Sequence, residues 1–126
     1  MPILGIGIDA VHVGRINHSL DTYKDRFKKR IYSPNEIVYC DSFPHPELHY
    51  AARFAAKEAF VKAIGTGFRF QIKHTDIEVY NDTLGKPLLK LYGKALAKIN
   101  EMGVNNSHIS LSHTNEIATA IVILEI

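Results

Sequence analysis

The sequence predicts an α+β domain with a largely antiparallel sheet packed against helices, the helices concentrated in its first half. Three observations predict it. Apolar residues recur at helical spacing up to Gly65, alternation replaces that period from Ile77 onward, and short polar turns join the alternating runs in pairs.

Ile3, Leu4, Ile6 and Ile8, interleaved with Gly5 and Gly7, read as a short buried first strand whose glycines admit a close backbone neighbour. Asp9 then falls at the strand's carboxyl end. Val11, Val13, Ile16 and Leu20 give a first helix, with Arg15 among its polar residues. Tyr23–Arg30 is helical by propensity and crowded with Lys24, Arg26, Lys28, Lys29 and Arg30. Ser33-Pro34-Asn35-Glu36 starts a short helix ending near Asp41: serine caps, proline takes the first helical position, and glutamate completes a capping box. After the turn at Phe43–Pro46, a long helix runs from about Glu47 to Ile64. Its Ala51, Ala52, Ala55, Ala59 and Ala63 allow close packing, and Gly65 stops it. Ile77–Tyr80 and Leu88–Tyr92 alternate on either side of the turn Asn81–Pro87, a hairpin signature. Ala95–Met102 is a helix ended by Gly103. His108–Ser112 and Ala118–Leu124 are two further strands joined by His113–Glu116.

A chain of 126 residues is expected to be one domain, residues 1–126, with a modest core. With 46% apolar and 22% charged residues, the composition is that of a folded protein and not a disordered one. A formal net charge of +2 is too small to imply nucleic acid, and only Tyr23, Phe27 and Tyr32 accompany the basic stretch, too few to stack bases. The lone Cys40 excludes an internal disulfide and fits a reducing compartment. No basic stretch precedes the apolar residues of Met1–Ile8, as a signal peptide would require. The apolar run Ile117–Leu124 is far short of the roughly 20 residues of a membrane helix. A cytoplasmic protein without a membrane partner is expected, and a small core holding a charged ligand favours an oligomer.

Candidate chemistry gathers in two places. Glu58 and Lys62, four apart on the long helix, have the spacing of a surface pair worth about 0.2–0.5 kcal/mol. Yet they stand with Arg53 and Lys57 among alanines, and the helix runs directly into Gly65-Thr66-Gly67. That triplet is a helix stop and turn, or side-chain-free backbone that phosphate oxygens can approach; it is not a Walker loop, since no Gly-Lys-Ser/Thr follows. Asp9 either caps the first helix or ligates a hard cation. Asp9 with Glu58 would suit a magnesium ion, which takes its remaining oxygens from water and phosphates. His45 and His49 have zinc spacing but lack a His-Glu-x-x-His pattern or a cysteine partner. His108 and His113 flank a strand as edge residues. The basic stretch is a solvated face or a docking surface for an acidic partner.

Taken together, Gly7-Ile8-Asp9 with Arg15 and Ile16, then Arg53-Phe54-Ala55-Ala56-Lys57-Glu58-Ala59-x-x-Lys62-Ala63-x-Gly65-Thr66-Gly67, resemble the 4′-phosphopantetheinyl transferases, in particular their short bacterial type. Asn81-Asp82-x-x-Gly85-Lys86-Pro87 and His108–Thr114, ahead of Ala118 and Ala120, extend the resemblance over essentially the whole chain. Phe54 stands where many relatives have tryptophan. The resemblance implies the transferase fold and transfer of the phosphopantetheine arm of coenzyme A to a serine of an apo acyl carrier protein, in fatty acid biosynthesis, with release of 3′,5′-ADP. It implies Asp9 and Glu58 as magnesium ligands, and Lys62 as a cation neutralising the diphosphate. Coenzyme A contacts would come from Arg53, Lys62, Gly65, Thr66, Gly67, Asn81, Gly85, Lys86, Pro87, His108, Ser112 and His113. Arg15, Lys24, Arg26 and Lys28 would receive an acidic helix of the carrier protein, and a homotrimer would place its clefts between subunits. It does not settle whether a metal-bound water, a carboxylate or the lysine takes the serine proton; a metal-associated water or Glu58 is the expectation. The competing expectation is a non-enzymatic module that docks an acidic protein through the basic helical face, with Glu58–Lys62 an ordinary surface pair.

Overall fold

A strand and a helix meet backbone to backbone, and two absent side chains permit it. A computed structural model describes residues 2–126. Strand β1 (Ile3–His12) lies along helix α4 (Pro46–Ile64) so tightly that a Cβ built on Gly5 would fall 1.9 Å from the Ala63 carbonyl oxygen. A Cβ on Gly7 would fall 1.8 Å from that of Ala59. The expected close contact at these glycines is therefore backbone against backbone, and the alanine spacing of α4 is its other half.

Between them β1, β4 (Asn106–His113) and β5 (Ile117–Glu125) form a three-stranded antiparallel sheet in the order β1-β5-β4. Along β5, Ala118, Ala120, Val122 and Leu124 are buried while the residues between them are not, so one face meets α4 and the other stays open. A separate hairpin pairs β2 (Ile77–Asn81) with β3 (Pro87–Leu91), as the alternation predicts. Helix α5 (Gly93–Glu101) follows and terminates at Gly103, φ +76°. Helix α3 (Pro34–Asp41) starts with the expected capping box: the Glu36 amide donates to Ser33 Oγ at 3.3 Å, and the Ser33 amide donates to Glu36 Oε1 at 2.9 Å. α4 ends at Gly65 in the left-handed conformation, φ +79°. The core joins α4 to the sheet through Tyr50, Ala55, Ala59, Phe60, Ala120 and Val122.

Two expectations are corrected. The first strand does not end at Ile8, so Asp9 lies within β1 and not at its carboxyl end. Val11 pairs with Ala118 in the sheet, and helix α1 begins only at Val13 (Val13–Tyr23). The available β5 partner overrides the helical spacing that Val11 shares with Val13, Ile16 and Leu20. Nor is Tyr23–Arg30 one helix. Lys24 takes φ +50° and separates α1 from α2 (Asp25–Ile31), a turn that returns Phe27 and Ile31 to the core. No helix among the described residues is long and apolar enough to cross a membrane.

Candidate active site

Asp9 shares the β1 face of Gly5, Gly7 and Val11, which is the face against α4. There it meets Lys62, which donates from Nζ to Asp9 Oδ1 at 3.0 Å and to the Ile8 carbonyl at 3.0 Å. Asp9 makes no helix cap: His12 precedes α1, with no side-chain cap bond. Glu58 stands one turn before Lys62 on the same side of α4. It is not the partner of Lys62; its Oε1 lies 3.6 Å from Nε2 of His74. The seam between β1 and α4 thus holds two carboxylates and one ammonium, with Asp9, Glu58 and His74 all partly accessible to solvent.

The donor set fits a hard cation. Both carboxylates offer hard oxygen donors, and a cation bound at Asp9 would share that carboxylate with the Lys62 ammonium or displace it. Among the described residues no group of three or more His, Cys, Asp or Glu is gathered about a metal position, so an ion held by these two carboxylates would take its remaining ligands from water and phosphate, the habit of magnesium.

Beyond Lys62, Gly65 and Gly67 both have positive φ and open space where a Cβ would stand. Thr66 is buried, its hydroxyl donating to the Gly67 carbonyl at 2.8 Å. Arg69 donates from Nε to the Thr66 carbonyl and from Nη2 to that of Gly65 at 3.3 Å, so this loop is braced from behind.

Arg53 is buried. Its guanidinium lies 4.0 Å over the Tyr39 ring and donates to Asn81 Oδ1 at 2.8 Å, while Nε has no partner. Asn81 in turn donates to the Gly85 carbonyl at 3.0 Å, and Asp82 Oδ1 accepts from the amides of Leu84 and Lys86, each at 2.9 Å. Arg53 therefore holds the 81–87 turn, including Gly85, Lys86 and Pro87, in shape. The two histidines of β4 are not brought together. His108 pairs with Glu125 at 2.6 Å near one end of the strand. His113, at the other end, faces the ring of His49 at 5.9 Å. His49 itself stacks on Phe43 at 3.7 Å, and burial, then the nearby Arg53 charge, hold its pKa below the ordinary histidine value. Ser112 lies beside Thr119, whose hydroxyl donates to its carbonyl at 3.2 Å.

On the basic face, Tyr23, Arg26, Phe27 and Arg30 with Ser19 line a cleft of about 550 Å³. Arg15 and Lys24 are exposed. Lys28 is engaged, donating to Asp41 at 3.2 Å.

Sequence reasoning missed a buried ionic cluster. Lys57 Nζ donates to Glu36 Oε1 at 2.8 Å, to the His74 carbonyl at 3.0 Å and to the Ile77 carbonyl. Glu36 Oε2 accepts from the Val79 amide at 3.1 Å, and Glu78 accepts from Ser33 Oγ at 2.5 Å and from the Tyr92 hydroxyl at 3.2 Å. Burial pushes the Lys57 pKa down, against the pull of Glu36. A signal was available: Lys57 lies four residues after Arg53 and amid the alanines 55, 56 and 59, so it had to be buried and needed a carboxylate.

The arrangement has known counterparts. A family model described as the 4′-phosphopantetheinyl transferase superfamily matches residues 5–122, and the chain belongs to that superfamily. Within it, the similar proteins are holo-[acyl-carrier-protein] synthases. That of Syntrophus aciditrophicus is 49% identical over 96% of this chain and 94% of its own length, and that of Trichlorobacter lovleyi is 50% identical over 98% of each. A crystal structure of the synthase from Neisseria meningitidis superposes with a TM-score of 0.89 at 38% identity, covering 98% of this chain and 99% of the other. The Helicobacter pylori synthase in complex with coenzyme A gives 0.84 at 31% identity, covering 95% of this chain and 99% of that one. The chain is thus an enzyme of the transferase class. The docking-module alternative is set aside on this kinship, since the family matched and the similar proteins are transferases; within the site, Lys62 pairs with Asp9 and not with Glu58.

Proposed function

We propose that this chain transfers the 4′-phosphopantetheine arm of coenzyme A to a serine of apo acyl carrier protein in the cytoplasm, for fatty acid biosynthesis, with Asp9 and Glu58 holding a magnesium ion. The observation that carries the reading is the Lys62–Asp9 contact at 3.0 Å, one helical turn from Glu58 and directly before the open Gly65–Gly67 backbone. The serine hydroxyl forms the new P–O bond at the phosphorus bearing the pantetheine arm, and the diphosphate P–O bond breaks to release 3′,5′-ADP. Magnesium, when bound, supplies positive charge to the diphosphate oxygens. Lys62 stabilises the negative charge that accumulates on the leaving phosphate, an electrostatic contribution that grows toward the transition state. Glu58, with no ammonium partner among the described residues, takes the serine proton through water beside it. The glycine loop admits phosphate oxygens. Arg53 acts through Asn81 to keep the 81–87 turn shaped for the coenzyme, and Ser112, His108 and His113 add contacts from β4.

The spread of those contacts over separate elements supports a homotrimer with sites between subunits. So does the open face of the sheet, where Ile6 and Ile8 are 57% and 64% exposed and lie opposite Ile123 and Ile121. The cleft at Tyr23, Arg26, Phe27 and Arg30, with Arg15 and Lys24 nearby, is the proposed seat of an acidic carrier helix. The test is a mass measurement on apo acyl carrier protein incubated with the protein, coenzyme A and magnesium. Gain of one phosphopantetheine arm, abolished by a chelator, is expected. No gain on a carrier that another transferase modifies would overturn the reading.

A further inference from the structure

His74 presents a ring nitrogen to the candidate metal carboxylate of Glu58. Its ring is stacked on Phe68 at 3.8 Å with an interplanar angle of 18°, and Phe54 lies nearly parallel at 5.8 Å and 20°. Its backbone is fixed as well, because the buried Lys57 ammonium donates to the His74 carbonyl at 3.0 Å. A ring held at its faces and its main chain has little freedom about either side-chain torsion. The ring nitrogen turned to Glu58 is Nε2, 3.6 Å from Oε1.

We infer that His74 is a positioning residue for Glu58: it holds the carboxylate toward Asp9 in the orientation that receives the metal. A closing shift of about half an ångström would make the contact an ordinary N–H···O bond of about 3 Å. The donor exists in the neutral tautomer protonated at Nε2 as well as in the imidazolium, so the role does not depend on titration. Carboxylates that ligate metals are commonly fixed by such an outer partner, whose removal weakens metal binding about 10–100-fold. Lys57 extends the same device inward, joining the buried Glu36 to the backbone that carries the ring.

The inference rests on Glu58 being a metal ligand, and the experiment separates the two. Mn²⁺ binding to the coenzyme A-loaded protein is measured by electron paramagnetic resonance for wild type, His74→Phe, His74→Gln and Glu58→Ala, with urea unfolding as a control. His74→Phe keeps the aromatic stack and loses the nitrogen. It is expected to unfold at the wild-type urea concentration while its Mn²⁺ dissociation constant rises about tenfold, with the KM for coenzyme A unchanged and kcat reduced at limiting metal. His74→Gln, which restores an N–H donor, recovers part of the affinity. Wild-type Mn²⁺ affinity in His74→Phe, with affinity lost in Glu58→Ala, would overturn the role of His74 alone. Wild-type affinity in Glu58→Ala would remove the metal reading and this inference together.

Discussion

Helix α4 carries two lysine–carboxylate pairs that are alike in chemistry and opposite in setting. Lys57–Glu36 measures 2.8 Å with both side chains fully buried, whereas Lys62–Asp9 measures 3.0 Å with the lysine more than half exposed. In the first, every proton of the ammonium meets an acceptor and the carboxylate also takes the Ser33 and Val79 amides, so the charges are locked into architecture. In the second, the ammonium can leave Asp9 for an incoming phosphate without stranding a buried charge. The difference teaches which pair can do chemistry: a cation that must move or share its charge has to stand where solvent and substrate reach it.

Three substitutions would break or sharpen that contrast. The largest effect is expected from Lys57→Met, which leaves Glu36 as a buried, uncompensated charge and lowers unfolding free energy by about 3–5 kcal/mol, read by urea denaturation. A small loss would mean that water relieves Glu36 and the pair is not architectural. Lys62→Met should be the mirror image. Its stability is expected to change by no more than about 1 kcal/mol, as for an exposed pair, while carrier modification slows by about 10²–10³. Full activity in that variant would place Lys62 outside the transfer step.

The smallest expected effect concerns acid. Burial lowers the folded pKa of His49 below its unfolded value of about 6.5, so the native state gives up the proton more readily. Stability is then complete above about pH 6.5 and declines as pH falls toward the folded value, because the unfolded chain binds the proton more tightly. His49→Gln should flatten that limb of the denaturation curve. An unchanged acid limb would assign it to other groups.

Much of this was legible along the chain. The Ser33–Glu36 box, the Gly65 and Gly103 stops and the hairpin about Asn81–Pro87 are local, set by capping and turn chemistry that needs no distant partner. The glycines of β1 and alanines of α4 were each readable, although their meeting was not. What escaped were matters settled by distant neighbours: the extension of β1 to His12 alongside β5, the break at Lys24, and the choice of Asp9 over Glu58 by Lys62. The i,i+4 spacing of Glu58 and Lys62 favours a local pair by only a few tenths of a kcal/mol, too little to hold the lysine against an acceptor pair on β1. His74 gave no sign, since the hairpin side of the molecule supplies it and only folding brings it to Glu58.

The contact of Gly5 and Gly7 with the carbonyls of Ala63 and Ala59 has a metrological consequence. Side-chain packing is elastic, because a larger or smaller residue in the core shifts its neighbours by fractions of an ångström. Peptide against peptide is a hard stop. The gauge between β1 and α4 is therefore set by atoms that every amino acid shares, and the span across which Asp9 and Lys62 meet is insulated from drift elsewhere in the core.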